Sequence, residues 1–309
     1  MYAPALNINI RNLIFSNYYL KMTFPTLISL IDILNDESKC IEWLIENHIV
    51  DILDKCERCN DDIRLSGTTY HCRSRNCRKQ FSLFRRSFFS QSKLNCNEIL
   101  LIGYLWLGGS RYTQIQRYTG HSSATIGSYM HYYRQLIISA LDDENNMIGG
   151  EGIIVEIDES KFGKRKHNRG HHVEGVWVLG GVERSEERRV FAEVVGDRSA
   201  STLLEVISRH VLPGSIVHTD LWRGYSYLSA ELSVLHKTVN HSLHFVSDNG
   251  VHTNTIEGTW NGIKFMVPPR NRTNADIGEY LFEFIWRRQN YDDLWGGLIR
   301  AFQDVLFDE

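Results

Sequence analysis

Three acidic residues could form a site for divalent cations. Asp158 ends the apolar run 153–157, Asp220 ends a second run over 215–219, and Glu257 lies where a helical pattern begins. Carboxylate oxygens are ligands that Mg²⁺ and Mn²⁺ prefer. Two such ions between carboxylates can hold a scissile phosphodiester, activate the attacking water or hydroxyl and stabilise the leaving oxygen. We predict a two-ion site in which Asp158 bridges the ions, Asp220 holds one and Glu257 holds the other.

Residues close to these acids extend the prediction and leave alternatives. Lys264 lies seven residues after Glu257, on the same helix face, where it could contact a phosphate. Glu159 is the alternative ligand beside Asp158, whereas we expect Glu156 to point to the opposite strand face. Two further residues could share or take the role of Glu257, namely His252 and Asn254.

Four cysteines form a second candidate metal site. Cys56 and Cys59 are separated by two residues, and Cys72 and Cys77 by four. Two close thiol pairs on separate turns can surround one tetrahedral Zn²⁺, and His71 is an alternative ligand. A segment this short buries little apolar area, so a structural zinc ion would supply much of its folding free energy. We predict a zinc-ribbon-like module over residues 55–92.

The region around these cysteines is basic, a property typical of DNA-binding surfaces. Positions 56–90 contain eight Lys or Arg residues and three acids, although the net charge of the chain is −3. Basic and aromatic residues alternate after the last cysteine of the module. The residues predicted to contact DNA are Arg73, Arg75, Arg78, Lys79, Arg85 and Arg86.

Residues 93–146 predict a helix-turn-helix region. An apolar helix over 97–107 precedes a short helix over 112–118, a turn containing glycine, and a longer helix over 123–138. This order is typical of a DNA-binding helix-turn-helix, although plain helical hairpins share it. The residues that begin the predicted recognition helix are Ser122, Ser123, Thr125 and Tyr129.

The remaining segments indicate the fold class. Residues 1–54 form an N-terminal helical segment, and 147–309 contain three strands, a helix, a strand, a short helix, a strand and closing helices. This order predicts an α/β, ribonuclease-H-like domain with a mixed sheet and flanking helices. In that fold the first acid lies on the central strand, the second ends a neighbouring strand and the third lies on a later helix. Positions 291–307 either pack on the core or form an interface.

Length and composition agree with a chain of about two domains. It has 309 residues, of which 42% are hydrophobic and 23% charged. We find neither an apolar run long enough to span a membrane nor a signal-peptide pattern. In the reducing compartment that this implies, clustered cysteines more often bind metal than form disulfides.

Three motif strings, at residues 158–166, 220–225 and 252–264, resemble the Merlin superfamily of cut-and-paste DNA transposases. Bacterial insertion-sequence transposases with an ISXO-like DDE domain are similar, and the resemblance covers about residues 55–295. It implies a DDE-type catalytic domain with two magnesium ions, an N-terminal zinc-ribbon-like module and terminal inverted-repeat DNA as substrate. It also implies that Asp158, Asp220 and Glu257 are the catalytic triad and Lys264 the downstream lysine.

The basic string after Asp158 is closer to the eukaryotic branch and implies a nuclear location. The residues in it that we predict to contact DNA are Lys164, Arg165 and Lys166. The leading hypothesis is therefore a transposase that binds terminal inverted repeats, hydrolyses double-stranded DNA at element ends and joins them to target DNA. Paired ends require a homodimer or a higher oligomer. The alternatives are a domesticated, non-catalytic DNA-binding protein and a structure-specific nuclease.

Overall fold

The structure is a computed structural model that describes residues 24–141, 147–163, 175–239, 251–305 and 307. The described residues divide into two compact units. The first unit comprises those up to Ala140 together with those from Asn290 onward, and the second runs from Leu141 to Gln289. Among the described helices, none has the length and apolar character that a membrane span requires.

The first unit is mainly helical. Its described helices are α1 (Leu27–Asn35), α2 (Glu37–Glu46), α3 (Cys96–Leu107), α4 (Tyr112–Thr119), α5 (Ser123–Ser139) and α10 (Leu294–Asp304). Its described strands are β1 (Ile63–Ser66), β2 (Thr69–Cys72) and β3 (Gln80–Ser82).

The second unit alternates strands and helices. Its described strands are β4 (Ile148–Gly149), β5 (Ile154–Phe162), β6 (Val176–Glu183), β7 (Val190–Val195), β8 (Val211–Leu212), β9 (Ile216–Asp220) and β10 (Leu235–Val239). Its described α-helices are α6 (Ala200–His210), α7 (Leu228–Glu231), α8 (Asn254–Met266) and α9 (Ile277–Gln289), and there are short 3₁₀ helices at Arg223–Tyr225 and Pro269–Asn271.

The cysteine-containing segment folds into a three-stranded antiparallel sheet of order β1-β2-β3. Gly67 joins β1 to β2 with a φ of +59°, in the left-handed region that favours glycine. Tyr70 of β2 is buried, and its ring lies 5.3 Å from that of Phe81 in β3. This small apolar contact and the sheet hydrogen bonds hold Cys72, the last residue of β2, beside the turn that carries Cys56.

The helices expected over 97–107, 112–118 and 123–138 are present as α3, α4 and α5, and each contacts the other two. Gly120 follows α4 with a φ of +73° and ends it. Ser122 caps α5 by accepting a hydrogen bond from the Thr125 backbone N–H at 3.2 Å. A glycine stop and a serine start, separated by one residue, therefore produce the tight turn between these helices.

Helix α10 packs within the first unit, although the sequence-based division placed all residues from 147 onward in one catalytic domain. It contacts α3 and α5. Phe302 is buried, and its ring centroid lies 5.2 Å from that of Phe88 and 5.3 Å from that of Phe89. The segment thus packs on a core, but on that of the first unit. The second unit ends at Gln289.

The second unit is built on a five-stranded mixed sheet of order β10-β9-β5-β6-β7. Strand β6 is antiparallel to both β5 and β7, whereas β9 runs parallel to β5 and β10 parallel to β9. Strand β5 is central, as expected for the strand that carries the first acid. This topology confirms the predicted ribonuclease-H-like α/β fold.

Helices cover both faces of this sheet. On one face, Val155 of β5 packs in a buried cluster with Leu203 of α6. On the other, Phe162 of β5 packs with Trp260 of α8 and Ile285 of α9. Because side chains alternate along a strand, the two faces of β5 face different helices.

Strand β5 is longer than the sequence indicated. We expected it to end at Asp158 and a basic turn to begin at Lys161, but the strand continues to Phe162. Ser160 and Phe162 are buried, whereas Lys161 is exposed. A polar residue at a buried position interrupts the apolar alternation. The hydrophobic pattern therefore did not indicate the last residues of the strand.

Candidate functional site

Asp158 and Asp220 lie at equivalent positions on neighbouring parallel strands. The last residue pair between β5 and β9 is Glu156 with His218, and the two aspartates come two residues later on each strand. Adjacent strands are about 4.8 Å apart, and laterally aligned side chains point to the same face of a sheet. The fold therefore brings these two carboxyl groups together on the face covered by α8.

The Asp158 carboxylate is held by α8. The indole Nε1 of Trp260 donates a hydrogen bond to Asp158 Oδ2 at 3.0 Å. Gly180, the β6 partner of Asp158, makes room for this indole, since a Cβ there would lie 2.6 Å from the Trp260 ring. The indole N–H of Trp260 therefore orients the first acid.

Burial and neighbouring negative charges both disfavour the ionised form of Asp158. Burial raises the pKa of Asp158, and the nearby negative charges of Asp220 and Glu257 raise it further, whereas hydrogen bonds from the Glu159 backbone and Trp260 oppose the increase. All three predicted ligands are thus close enough to interact. A cation bound between them would relieve the repulsion that disfavours the ionised form.

Glu257 lies in the first turn of α8 and is exposed. The start of this helix is capped by a strand residue, Glu156. The Glu156 carboxylate accepts hydrogen bonds from the backbone N–H groups of Thr255 at 2.7 Å and Ile256 at 3.0 Å, and from the Thr255 hydroxyl at 2.8 Å. An acceptor carboxylate at a helix N-terminus satisfies unpaired N–H groups and complements the helix dipole. Glu156 therefore positions the turn that carries Glu257.

The expectation that Glu156 points away from Asp158 is wrong. Residues two apart on a strand share a face, and both side chains bond to α8. Glu156 is fully buried and pairs with Arg184 Nε at 2.5 Å. Arg184 also donates to the His252 carbonyl at 2.8 Å. The His252 ring lies against the same pair, with Nδ1 2.8 Å from Arg184 Nη2, so this ring supports the helix cap.

Glu159 lies on the opposite face of β5, towards α6. Burial raises the pKa of Glu159 to about 7, and the negative charges of Asp158 and Asp220 contribute. The neighbouring hydroxyl of Tyr225 opposes this increase. Tyr225 belongs to the buried cluster on the α6 side. The strand thus separates Glu159 from the face on which the three predicted ligands interact.

Lys264, in the last turn of α8, is on the site's side of the sheet. Its ammonium lies 5.6 Å from the centroid of the Phe162 ring. Burial lowers the pKa of Lys264, the Asp158 carboxylate opposes this decrease, and Arg272 adds to it. Arg272 also donates a hydrogen bond to the Lys264 carbonyl oxygen. Lys264 is therefore within electrostatic reach of Asp158.

The three acids are spaced differently from the four cysteines. Among the described residues, the ligand atoms of Asp158, Asp220 and Glu257 do not all lie within 4.8 Å of one another, whereas those of the four cysteines do. Ligands on opposite sides of one Mg²⁺ are about 4 Å apart, because each Mg–O distance is about 2.1 Å. A two-ion site is wider, since its ions are about 3.5–4 Å apart.

The four cysteine sulfurs fit one zinc ion. Cys59 Sγ lies 3.4 Å from Cys72 Sγ, and Cys56 Sγ lies 3.8 Å from Cys77 Sγ. Tetrahedral ligands at a Zn–S distance of 2.3 Å are separated by about 3.8 Å. Burial opposes ionisation of Cys56, but backbone N–H groups of Arg58 and Cys59 contribute to lowering its pKa to about 7, and zinc binds the thiolate. The cluster comprises the four cysteines without His71.

The predicted DNA-contacting residues of this module differ in exposure. The exposed ones are Arg73, Arg75, Arg78, Lys79 and Arg86. The side chain of Arg85 is only 9% exposed, pairs with Glu57 and stacks over the Phe81 ring at 5.3 Å. Arg85 is thus part of the module's own structure.

The other predicted DNA contacts lie on α5 or outside the described residues. Ser122 and Ser123 are exposed and Thr125 is half-buried, while the hydroxyl of Ser122 caps the helix. The Tyr129 hydroxyl bonds to Ser92 at 2.5 Å, which directs this side chain inward. The basic string Lys164, Arg165 and Lys166 lies outside the described residues.

Comparisons with known proteins indicate the family. Residues 147–289 match the ISXO2-like transposase domain. An uncharacterized transposase-like protein of Haemophilus influenzae is 38% identical over 104 residues, which are 33% of this chain and 82% of that protein.

Solved structures similar to this chain include two integrase catalytic core domains. That of BIV integrase has a TM-score of 0.28 at 12% identity and covers 41% of this chain and 80% of its own. That of HTLV-2 integrase, in complex with magnesium in a trimeric form, has a TM-score of 0.28 at 13% identity and covers 44% and 84%. The domain match and the bacterial relative give the assignment: the chain belongs to the ISXO2-like family of DDE transposases.

Proposed function

We propose that this protein is a cut-and-paste DNA transposase that binds terminal inverted repeats, cleaves DNA strands at them and joins the released 3′-hydroxyl groups to target DNA. One observation carries the proposal. Asp158 and Asp220 each lie two residues beyond the last paired position of the neighbouring strands β5 and β9, and the charges of Asp220 and Glu257 both act on the Asp158 carboxylate. Such a cluster of carboxylates suits phosphodiester chemistry.

Each side chain has a distinct task in this proposal. Asp158, which Trp260 holds in the centre of the site, would hold both ions, whereas Asp220 on β9 and Glu257 on α8 would each hold one. Two Mg²⁺ or Mn²⁺ ions held by these carboxylates would supply charge neutralisation of the phosphate and a lowered pKa for the attacking oxygen. Lys264 is available to bind a neighbouring phosphate.

DNA delivery is assigned to the first unit. Exposed basic residues of the zinc-ribbon-like module contact phosphates, and the start of α5 contacts a groove of the duplex. One zinc ion on Cys56, Cys59, Cys72 and Cys77 stabilises the module. Paired element ends require at least a homodimer. Measuring the mass of the protein in complex with two end duplexes tests this requirement.

Two finer assignments rest on the sequence motifs. Within the DDE transposases, we place the chain nearest the Merlin superfamily, which a tree built from catalytic-domain sequences tests. The lysine-rich string after Asp158 supports a nuclear location, and imaging of the tagged protein with and without that string tests it.

The central experiment is a cleavage and joining assay with candidate inverted-repeat DNA and Mg²⁺ or Mn²⁺. Asp158→Asn, Asp220→Asn and Glu257→Gln should each abolish cleavage while DNA binding survives. Glu205→Gln is the control, since Glu205 is exposed on α6, across the sheet from the site. Normal cleavage by a triad variant would remove that residue from the site. Binding without cleavage by the wild type would favour a domesticated DNA-binding protein, and cleavage without joining a nuclease.

A further inference from the structure

The zinc-ribbon-like module contains a basic groove with a volume of about 480 Å³. Its walls are the turn after Cys56, strand β3 and the segment that follows β3. Its charged lining residues are Glu57, Arg58, Lys79, Arg85 and Arg86. Four cations against one acid favour an anionic occupant, and the polar and aromatic remainder of the lining adds hydrogen-bonding groups. We refer to it as the basic groove.

The single acidic residue in the basic groove forms ion pairs with two of the groove's arginine residues. Glu57 Oε1 lies 3.1 Å from Arg85 Nη2 and 3.6 Å from Arg86 Nη1. A carboxylate oxygen between two guanidinium groups has the position and charge of a phosphate oxygen. The Glu57 side chain is 37% exposed, so it can turn towards solvent when another anion enters.

Arg85 and Arg86 differ in exposure. Arg85 is only 9% exposed, and its guanidinium carbon lies 5.3 Å and 5.9 Å from the rings of Phe81 and Tyr70. Its buried Nε has no hydrogen-bond partner among the described residues. Arg86 is 61% exposed. The groove thus combines one preformed, fixed guanidinium with one that can adjust to a ligand.

The backbone of the basic groove is also held in an unusual conformation. Arg86 and Gln91 line it with φ values of +57° and +55°. Non-glycine residues with such φ values are strained, and they cluster at ligand-binding sites. The surrounding fold therefore enforces this wall of the groove.

We propose that the basic groove binds the phosphate backbone of duplex DNA, and that Glu57 is an internal competitor that a phosphate displaces from Arg85 and Arg86. DNA as the occupant rests on the proposed function, whereas the competing role of Glu57 goes beyond it. Displacing a built-in anion lowers affinity for any single duplex, so binding becomes dependent on further contacts made by the rest of the protein.

Glu57→Gln tests the competitor. We would measure binding of a fluorescent duplex to the full-length, zinc-loaded protein without Mg²⁺ or Mn²⁺, over a series of salt concentrations. An exposed ion pair is worth about 0.2–1 kcal/mol, so the variant should bind about 1.4- to fivefold more tightly. Asp62→Asn is the matched control, because it makes the same charge change at a carboxylate that pairs with Lys55 at 2.7 Å outside the groove lining.

Arg58→Ala tests the groove independently of Glu57. Loss of one phosphate contact should weaken binding and reduce the slope of log K against log salt by about one. Arg64→Ala is the control, since Arg64 is exposed on β1 and outside the lining. If zinc analysis shows that Glu57→Gln has lost the metal, the comparison of Arg58→Ala with Arg64→Ala decides whether the basic groove binds DNA.

Equal affinity gains for Glu57→Gln and Asp62→Asn would overturn the proposal, as would equal slopes for Arg58→Ala and Arg64→Ala. The same shifts on duplex RNA but not on duplex DNA would overturn it in favour of an RNA-binding groove. The binding assay contains no catalytic cation. A negative result for the basic groove is therefore compatible with metal-dependent cleavage by the triad, and loss of cleavage is compatible with a positive result for the groove.

Discussion

Glu156→Gln is expected to impair DNA cleavage although Glu156 is not itself a predicted metal ligand. The substitution keeps the size of the side chain and removes its charge. It replaces one carboxylate oxygen by an NH₂ group, which faces the N–H groups of Thr255 and Ile256 or the guanidinium of Arg184. The first turn of α8, which carries Glu257, therefore loses part of its anchor on β5.

The magnitude follows from the four hydrogen bonds that the Glu156 carboxylate accepts, at 2.7 and 2.8 Å from Thr255, 3.0 Å from Ile256 and 2.5 Å from Arg184. Removing one partner of a buried ion pair costs about 3–5 kcal/mol. Arg184 is 21% exposed, so solvent recovers part of this cost, and we expect a loss of about 2–4 kcal/mol. If half of this free energy is lost at the first turn of α8, the cleavage rate falls about tenfold.

Glu183→Gln is a matched control. Glu183 is also fully buried in the second unit, and it accepts hydrogen bonds from Arg189 at 2.9 Å, Ser185 at 2.6 Å and the Gly149 backbone at 2.9 Å. None of these partners lies on α8. This variant should lose a similar amount of stability, while its cleavage rate per folded molecule stays close to that of the wild type.

Two assays separate position from stability. Denaturant unfolding gives the folded fraction of each variant, and cleavage of end-labelled DNA is compared at equal folded fraction. Hydrogen exchange at residues 255–257 gives a second readout that needs no activity: protection should fall in Glu156→Gln and persist in Glu183→Gln. Equal cleavage by both variants, with unchanged protection at 255–257, would refute the positioning role of Glu156.

Three further substitutions test other parts of the structure. Cys77→Ser should reduce bound zinc and unfold the β1-β2-β3 sheet, as metal analysis and limited proteolysis would show; retention of one zinc per chain would exclude Cys77 as a ligand. Gly180→Ala should lower the free energy of unfolding by about 1–3 kcal/mol and reduce cleavage, because it displaces Trp260 from Asp158. The control Gly258→Ala, on an open face of α8, should leave cleavage unchanged. The same loss of cleavage in both variants would contradict this reasoning. Phe302→Ala should destabilise the first unit by about 3–5 kcal/mol, and a shift of the thermal transition of the second unit instead would show that α10 belongs there.

The sequence predicted the fold because each acid follows a recognisable pattern. Runs of β-branched residues ended by Asp158 and Asp220 indicated buried strands, and the change of period after 253 indicated a helix. What it could not supply was the register of β5 on β9, since pairing depends on the packing of both sheet faces. The structure provides that register, and only then do the two aspartates become neighbours.

Two other sequence patterns did not lead to the correct structure. Period-two alternation already places Glu156 on the face of Asp158, and applying it correctly would have identified a buried carboxylate in need of donors. The apolar spacing in 294–304 showed that this helix buries one face. It did not show which core receives that face, because amphipathic spacing carries no information about the partner.

Strand β5 and helix α8 are fastened at two points with nearly equal spacing. Glu156 and Asp158 are two residues apart on a strand, a rise of about 7 Å. Their partners Ile256 and Trp260 are four residues apart on a helix, a rise of about 6 Å. The two bonds therefore hold a segment of about one helical turn against β5. Glu257 lies between the two fastening points along α8, so the strand that supplies the first acid also determines the position of the third.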